Sequence, residues 1–376
     1  MNDEEREYRM CKRCVMDTSD PDIVFDENGI CNHCTNYENN ILMKDSNAKW
    51  NELSVMFNEI QMAGKGKEYD CIIMLSGGAD SSLVVHTAKE MGLRAVLITL
   101  DDGWGIPEVM ENIEAIVLKT GYPLVKYNLN QAEINDLYKA YIKANVIDIE
   151  TPFDQVISYV AIEMAKEWDV NYILTGSNMQ TEGIMAKTWA FNKLDRKNLL
   201  AIHKKHGTIP LDTYRTYSPW KLYWYKLRGK YKFIKPLCMM KYDRDKAVET
   251  LKRDFDWKPY KKNSESLFTR FDKRVILPVK FGVEKIRGNY SAMIMSGLMT
   301  RSEAKFNLKY DVDGYKPTEL WIEDMKEFCR KLELDTNWFT SEYFFAGQTP
   351  HTDYAYHKWL YKLLDVLRWG RNLFRK

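Results

Sequence analysis

Ser76-Gly77-Gly78-Ala79-Asp80-Ser81-Ser82 is a run of residues suited to gripping an anion. Two glycines let backbone N–H groups come close to a ligand. A helix starting behind them adds partial positive charge, and three serines supply hydroxyl donors. Such a turn cradles phosphate. It is not the G-x-x-x-x-G-K-S/T loop, so no loop lysine reaches between phosphates. A second set lies upstream: Cys11-Lys12-Arg13-Cys14 and Cys31-Asn32-His33-Cys34, with sixteen residues between the doublets. Each C-x2-C forms a tight knuckle and offers two thiolates, so Cys11, Cys14, Cys31 and Cys34 match the ligand set of a tetrahedral structural Zn2+. A disulfide pair is the alternative, disfavoured in a reducing compartment. His33 sits inside a doublet as a competing ligand. Cys71, Cys238 and Cys329 read as packing residues.

The phosphate turn needs a strand to enter it and a helix to leave it. Cys71–Leu75 is a short apolar run that reads as a buried strand, and Leu83–Glu90 reads as helical. Further strands are expected at 94–100, 124–127 and 171–175, and helices at 47–62, 107–119, 131–145, 153–167 and 241–253. Strands alternating with helices predict an α/β fold with a doubly wound parallel sheet. Ligands of such sheets bind beyond the carboxyl ends of the strands. The loops at Ser76, Asp101–Trp104 and Thr175–Asn178 all emerge there. The expected organisation is a zinc ribbon over 1–45, an α/β domain carrying the phosphate turn over 65–260 with a basic insertion at 183–235, and a mainly helical region over 261–376. Thr300-Arg301-Ser302-Glu303 fits a capping box.

The chain has 376 residues and a net charge of only +2, unevenly spread. The segment 183–235 holds ten lysines and three arginines against Asp195 and Asp212. That excess marks an anionic partner. The polar, acidic start of the chain is no secretory signal, and no apolar run is long enough to span a membrane. A cytoplasmic location is expected. Leu360, Leu363, Leu364 and Leu367 form a helical stripe among basic residues, read as docking on the core in preference to lying on a membrane.

The S-G-G-x-D-S run resembles the signature of the PP-loop ATP pyrophosphatases. Together with C-K-R-C-V-M-D-T, F-D-E-N-G-I-C-N-H-C, T-G-S-N-M-Q-T-E at 175–182, E-S-L-F-T-R-F and I-L-P-V-K-F-G at 265–282, it makes nearly the whole chain similar to the N-acetyl sugar amidotransferases of bacterial surface-polysaccharide biosynthesis. The resemblance implies that Mg-ATP adenylates the oxygen of a sugar N-acetyl group, releasing pyrophosphate. Ammonia then displaces AMP and leaves an acetamidino group. It further implies that Asp80 positions Mg2+, that Ser76, Gly77, Gly78, Ser81 and Ser82 hold the departing pyrophosphate, and that Lys235 neutralises it. Ala79 stands where many relatives carry lysine, which moves that duty to Lys235. Asp102 and Gly103 would edge the adenosine site, with Gly176, Asn178 and Glu182 opposite.

The resemblance implies a UDP-linked acetamido sugar as substrate, such as a diacetamido uronic acid of O-antigen (lipopolysaccharide) synthesis, with Arg270 or Lys280 assisting. No glutaminase is visible in the sequence, so ammonia would come from a separate glutaminase paired with a cyclase-like channel subunit. No nucleic acid is expected. The rival reading is a tRNA thiolase of the same loop chemistry, which would need Cys238 for sulfur delivery.

Overall fold

A computed structural model of the protein describes residues 7–39, 46–260, 264–312 and 319–359. The cysteine-rich start carries a one-turn-and-a-half helix α1 (Asn32–Tyr37), and α2 (Ser46–Ala63) leads into the sheet domain. There follow β1 (Cys71–Met74), α3 (Ala79–Glu90), β2 (Ala95–Asp101), α4 (Pro107–Thr120), β3 (Leu124–Asn128), α5 (Gln131–Ala144), α6 (Thr151–Glu167), β4 (Tyr172–Leu174) and α7 (Met179–Glu182). Next come α8 (Arg196–His206), α9 (Pro219–Leu227), β5 (Lys232–Ile234) and α10 (Arg244–Phe255). The C-terminal region is helical: α11 (Leu267–Phe271) running into a π-helix (Asp272–Lys280), then α12 (Lys285–Met295), α13 (Arg301–Val312) and α14 (Glu319–Lys331).

All five strands are parallel, in the order β3-β2-β1-β4-β5. This is the doubly wound α/β class expected from the strand–helix alternation. The central strands β1 and β4 are apolar throughout, and β2 is apolar up to Ile98, because both faces are covered, as a parallel sheet requires. Alternate side chains go to different cores. Ile73, Ala95 and Leu97 pack with α2, α3, α4 and α10, whereas Ile72, Val96 and Ile98 pack with α5, α6, α8 and the C-terminal helices. The C-terminal region therefore shares a core with one face of the sheet. Phe268, Phe271, Phe328 and Phe339 are fully buried there.

Local signals set the element ends. Gly121 ends α4 at φ 70°, where a left-handed residue closes a helix best as glycine. Asn130 caps α5, and Glu303 and Thr300 make reciprocal bonds of 2.7 and 3.2 Å at the start of α13, the expected capping box. Helix α6 starts at Thr151, two residues before the sequence expectation, because Pro152 suits the first turn of a helix. The basic segment 183–235, without clear periodicity in sequence, contains α8 and α9, capped by Asp195 and Ser218. Its final residues form β5, an edge strand of the sheet. The leucine stripe from Leu360 onward lies outside the described residues.

Candidate active site

The turn between β1 and α3 is four residues long. Gly77 sits at φ +74°, and a Cβ there would lie 2.8 Å from the Val109 carbonyl oxygen. Only glycine fits. The Ser76 N–H donates to Ser81 Oγ at 3.1 Å, and the Ser76 and Ser81 hydroxyls are 3.0 Å apart, closing the turn on itself. The Trp257 indole N–H donates to the Gly77 carbonyl at 3.1 Å and fixes its outer edge. Ser82 is fully buried, and its hydroxyl has no partner among the described residues.

Asp80 is held from two sides. Asn178 Nδ2 donates to it at 3.0 Å, and the Tyr242 hydroxyl donates to its other oxygen. Burial and the neighbouring carboxylate push the Tyr242 phenol well above its usual range, so it stays a donor. Asn178 also caps α7, accepting from the Thr181 N–H at 2.8 Å. Gly176 is the contact between the β4 loop and this turn: a Cβ there would lie 2.6 Å from Ser81 N. Thus Ser76, Asp80, Ser81, Gly176 and Asn178 are brought together by direct contact.

A cavity of about 620 Å³ opens at the carboxyl ends of the strands. Ser76, Asp102 and Glu182 line it. Asp102 is nearly buried, accepts from Tyr138 at 2.8 Å and from the Trp104 N–H at 3.1 Å, and burial raises its pKa. Gly103, at φ +79°, packs against Gln131, and its carbonyl accepts from Lys331. These two residues shape the loop after β2. Lys235 is exposed in the turn after β5.

The opposite wall was not visible in the sequence. Glu150 and Asp154 at the start of α6 face Lys193, Lys273 and Lys285, all lining the cavity. Lys273 lies 3.6 Å from Glu150, and Thr269 donates to Glu150 at 2.7 Å. Lys285 is 2.9 Å from Asp148 and Lys193 pairs with Asp154. Burial opposes the ionisation of Glu150, yet Lys273, Lys285 and Lys193 with the Thr269 hydroxyl bring its pKa down to about 2. Asp272 lies behind this wall, fully buried, with both carboxylate oxygens unpartnered among the described residues. Burial, then the charge of Glu150, pushes its pKa up to about 8. The signal in sequence was the acidic run Asp148–Asp154 and the Lys273 that follows E-S-L-F-T-R-F; neither predicts the other without the fold.

Arg270 and Lys280 have partners elsewhere in the fold and do not line the cavity. Arg270 makes a two-pronged bond to Asp324 at 2.8 and 2.6 Å, tying α11 to α14. The Lys280 ammonium donates to the Tyr343 and Ala346 carbonyls. Thr269 and Lys273, one residue before and three after Arg270, occupy the cavity instead.

The four cysteines of the two doublets are buried, with their sulfurs within 4.8 Å of one another. The closest separations are 3.6, 3.7 and 3.9 Å. A tetrahedron of thiolates around zinc has edges of about 3.8 Å, so the set fits a metal ion. Backbone N–H groups of Arg13, Cys31 and Met16 point at the sulfurs at 3.3–3.4 Å, which stabilises thiolate. His33 is not a member: it pairs with Asp20 at 2.7 Å. The knuckles are clamped to the C-terminal helices by Arg301, which donates to the Cys11 and Cys14 carbonyls at 2.7 and 3.0 Å. Tyr37 donates to the Met179 carbonyl at 2.9 Å, so the cluster braces the α7 wall of the cavity.

Residues 265–368 match the family model described as "LPS biosynthesis protein WbpG-like, C-terminal domain". The matched stretch is similar to that C-terminal domain and covers 104 of the 376 residues. Within the matched stretch lie Glu265, Ser266, Phe268, Thr269, Lys273, Lys285 and Asn289 of the cavity wall. No curated protein matches the chain. Among solved structures, it is similar to an NH3-dependent NAD synthetase from Campylobacter jejuni (16% identity, 42% of this chain and 72% of that one, TM-score 0.29). It is also similar to the U34-tRNA thiolase NcsA from Methanococcus maripaludis (13%, 86% and 88%, TM-score 0.35). An NMN synthetase from Francisella tularensis compares at 14% identity over 82% of this chain and 99% of that one, TM-score 0.34.

Proposed function

We propose that the protein is an ATP-dependent amidotransferase of lipopolysaccharide synthesis, converting an N-acetyl group of a UDP-linked sugar to an acetamidino group. One observation carries the reading. A single cavity runs from the Ser76 turn and the carboxyl ends of β1 and β2 to residues of the WbpG-like domain. A nucleotide held at the first end meets a sugar held at the second.

An amide carbon is a poor electrophile and its oxygen a poor leaving group. Attack of the amide oxygen on the α-phosphorus of ATP expels pyrophosphate and gives an O-adenylate, which cures both defects. Ammonia then adds to the carbon and AMP leaves. The turn N–H groups and the Ser76, Ser81 and Ser82 hydroxyls bind the departing pyrophosphate, with Lys235 as an added cation. Asp80, oriented by Asn178 and Tyr242, holds Mg2+. The product amidine is a cation, and Glu150 stays ionised in the cavity wall to face positive charge. Lys193 and Lys273 suit a carboxylate or diphosphate on the sugar. Ammonia comes from a separate glutaminase through a cyclase-like channel subunit. The four-cysteine site holds a structural Zn2+, which supplies folding energy.

The test incubates the protein with Mg-ATP, an ammonium salt and UDP-acetamido sugars. AMP formation dependent on both sugar and ammonia supports the reading; ADP formation, or AMP independent of the sugar, defeats it. A thiolase reading draws on Cys238, whose thiol lies 3.8 Å from the Ser177 carbonyl beside the turn. A Cys238→Ser variant that keeps full sugar-dependent activity removes it.

A further inference from the structure

Helix α9 is built the wrong way round for a helix of a lone globular protein. Pro219 and Tyr225 face inward, where Tyr225 packs edge-on against Tyr217 and Tyr231. Trp220, Tyr223, Trp224 and Leu227, at i, i+3, i+4 and i+7, form one stripe. That stripe faces solvent: Trp220 is 55% exposed, Trp224 45% and Leu227 68%. Four large apolar side chains exposed on a single helical face mark a binding surface. Phe233, on β5 just beyond the next turn, is exposed as well.

The charge around the stripe has one sign. From Thr213 to Lys241 the chain has eight Lys and Arg and no Asp or Glu. Lys221, Lys226, Arg228, Lys230 and Lys232 are all exposed. Tryptophan, tyrosine and leucine in a segment whose charges are all basic is the composition of a helix that lies in a membrane interface. We propose that α9 docks the protein on an anionic lipid bilayer, with Trp220, Trp224 and Leu227 entering the headgroup layer and the Lys226–Lys232 cations contacting lipid phosphates. Nothing in the proposed chemistry uses these residues, so the inference stands apart from it.

A polyanion such as RNA would suit the cations but not the stripe. Base stacking would have to use the single ring face that each tryptophan leaves open. One face of Trp224 is covered by the Arg228 guanidinium, 3.8 Å from the ring centre, and one face of Trp220 stacks on Trp359 at 4.3 Å and 15°. What these rings leave outward, together with aliphatic Leu227, is apolar surface suited to burial in lipid. The charge complementarity and the aliphatic member together favour the bilayer.

The test is co-sedimentation of the full-length protein with vesicles of phosphatidylcholine alone and of phosphatidylcholine with phosphatidylglycerol, alongside tryptophan emission. Binding to the anionic vesicles with a blue shift is expected, with little binding to the neutral ones. A Lys226→Glu, Arg228→Glu, Lys230→Glu variant should lose at least about a hundredfold in partitioning, each basic residue near an anionic surface counting for roughly fivefold. A Trp220→Ala, Trp224→Ala, Leu227→Ala variant should lose at least about tenfold and the blue shift. Should a variant misfold, brominated lipids in anionic vesicles must quench wild-type tryptophan more than a Trp220→Phe, Trp224→Phe protein. The proposal is overturned if wild-type protein ignores anionic vesicles, or if both triple variants bind them unchanged. It is equally overturned if the stripe proves to hold a dimer that the alanine variant dissociates, or if the segment binds RNA while leaving lipid alone.

Discussion

The two ends of the cavity are built on different principles. The end at the Ser76 turn, proposed to hold phosphate, comes from one strand–turn–helix unit whose backbone amides and serine hydroxyls lie within seven consecutive residues. The far end is assembled from the start of α6, the loop carrying Lys193, the π-helix and α12, and it works through paired side-chain charges. A backbone site is cheap to keep neutral and tolerates little change in residue size. A charged wall has to balance its own ions before it meets a ligand, and it must be braced from outside. The ribbon at Cys11–Cys34 and the Arg270–Asp324 tie supply that bracing.

Breaking the phosphate end should have the largest effect. Asp80→Asn is expected to lower AMP formation at least about a hundredfold with little change in melting temperature, since one preorganised electrostatic group is lost. Activity retained by this variant would separate the turn from the chemistry. At the bracing ribbon, Cys14→Ser should release the metal, detected by elemental analysis of purified protein. It should destabilise the C-terminal helices as well as the ribbon, because Arg301 bonds the Cys11 and Cys14 carbonyls. If strong chelators leave metal content and melting unchanged, the cysteines hold no labile structural ion.

The charged end should reveal itself in pH dependence. Asp272 has a raised folded-state pKa of about 8. In the unfolded chain its carboxyl ionises near pH 4, so the folded state binds the extra proton between those limits. Its contribution is therefore lost as pH rises from about 4 to 8, when a charge must be carried beside Glu150 and Asp148, with Lys273 and Lys285 offsetting part of the cost. Denaturant unfolding at pH 5 and 8 should show wild type losing roughly a few kcal/mol relative to Asp272→Asn over that window. Equal slopes for the two proteins would mean that Asp272 is paired in solution. The smallest effect tests the capping box, remote from both ends. Thr300→Ala should lower the melting temperature by about 2 °C and leave AMP formation intact.

Short-range signals made the first end readable. A strand, a tight glycine turn and a helix are encoded in adjacent residues, as are the cysteine knuckles, because hydrogen-bond geometry and ligand spacing act over a few positions. The alternation of apolar strands and amphipathic helices likewise specified the doubly wound sheet, since a parallel sheet buries both faces. The second end had no such code. Lys193, Lys273 and Lys285 are lysines among 55 basic residues, and nothing local distinguishes them from Arg270 or Lys280, which serve the fold.

The chain's own order of residues therefore determined the phosphate turn, the thiolate set and the layering of helices on the sheet. Only the packing of distant segments against one another decided which charges line the cavity and which Trp and Leu side chains of α9 are left in solvent. Covalent neighbours dictate backbone geometry directly. The partner of a long charged side chain is chosen by whatever distant segment the core brings within reach.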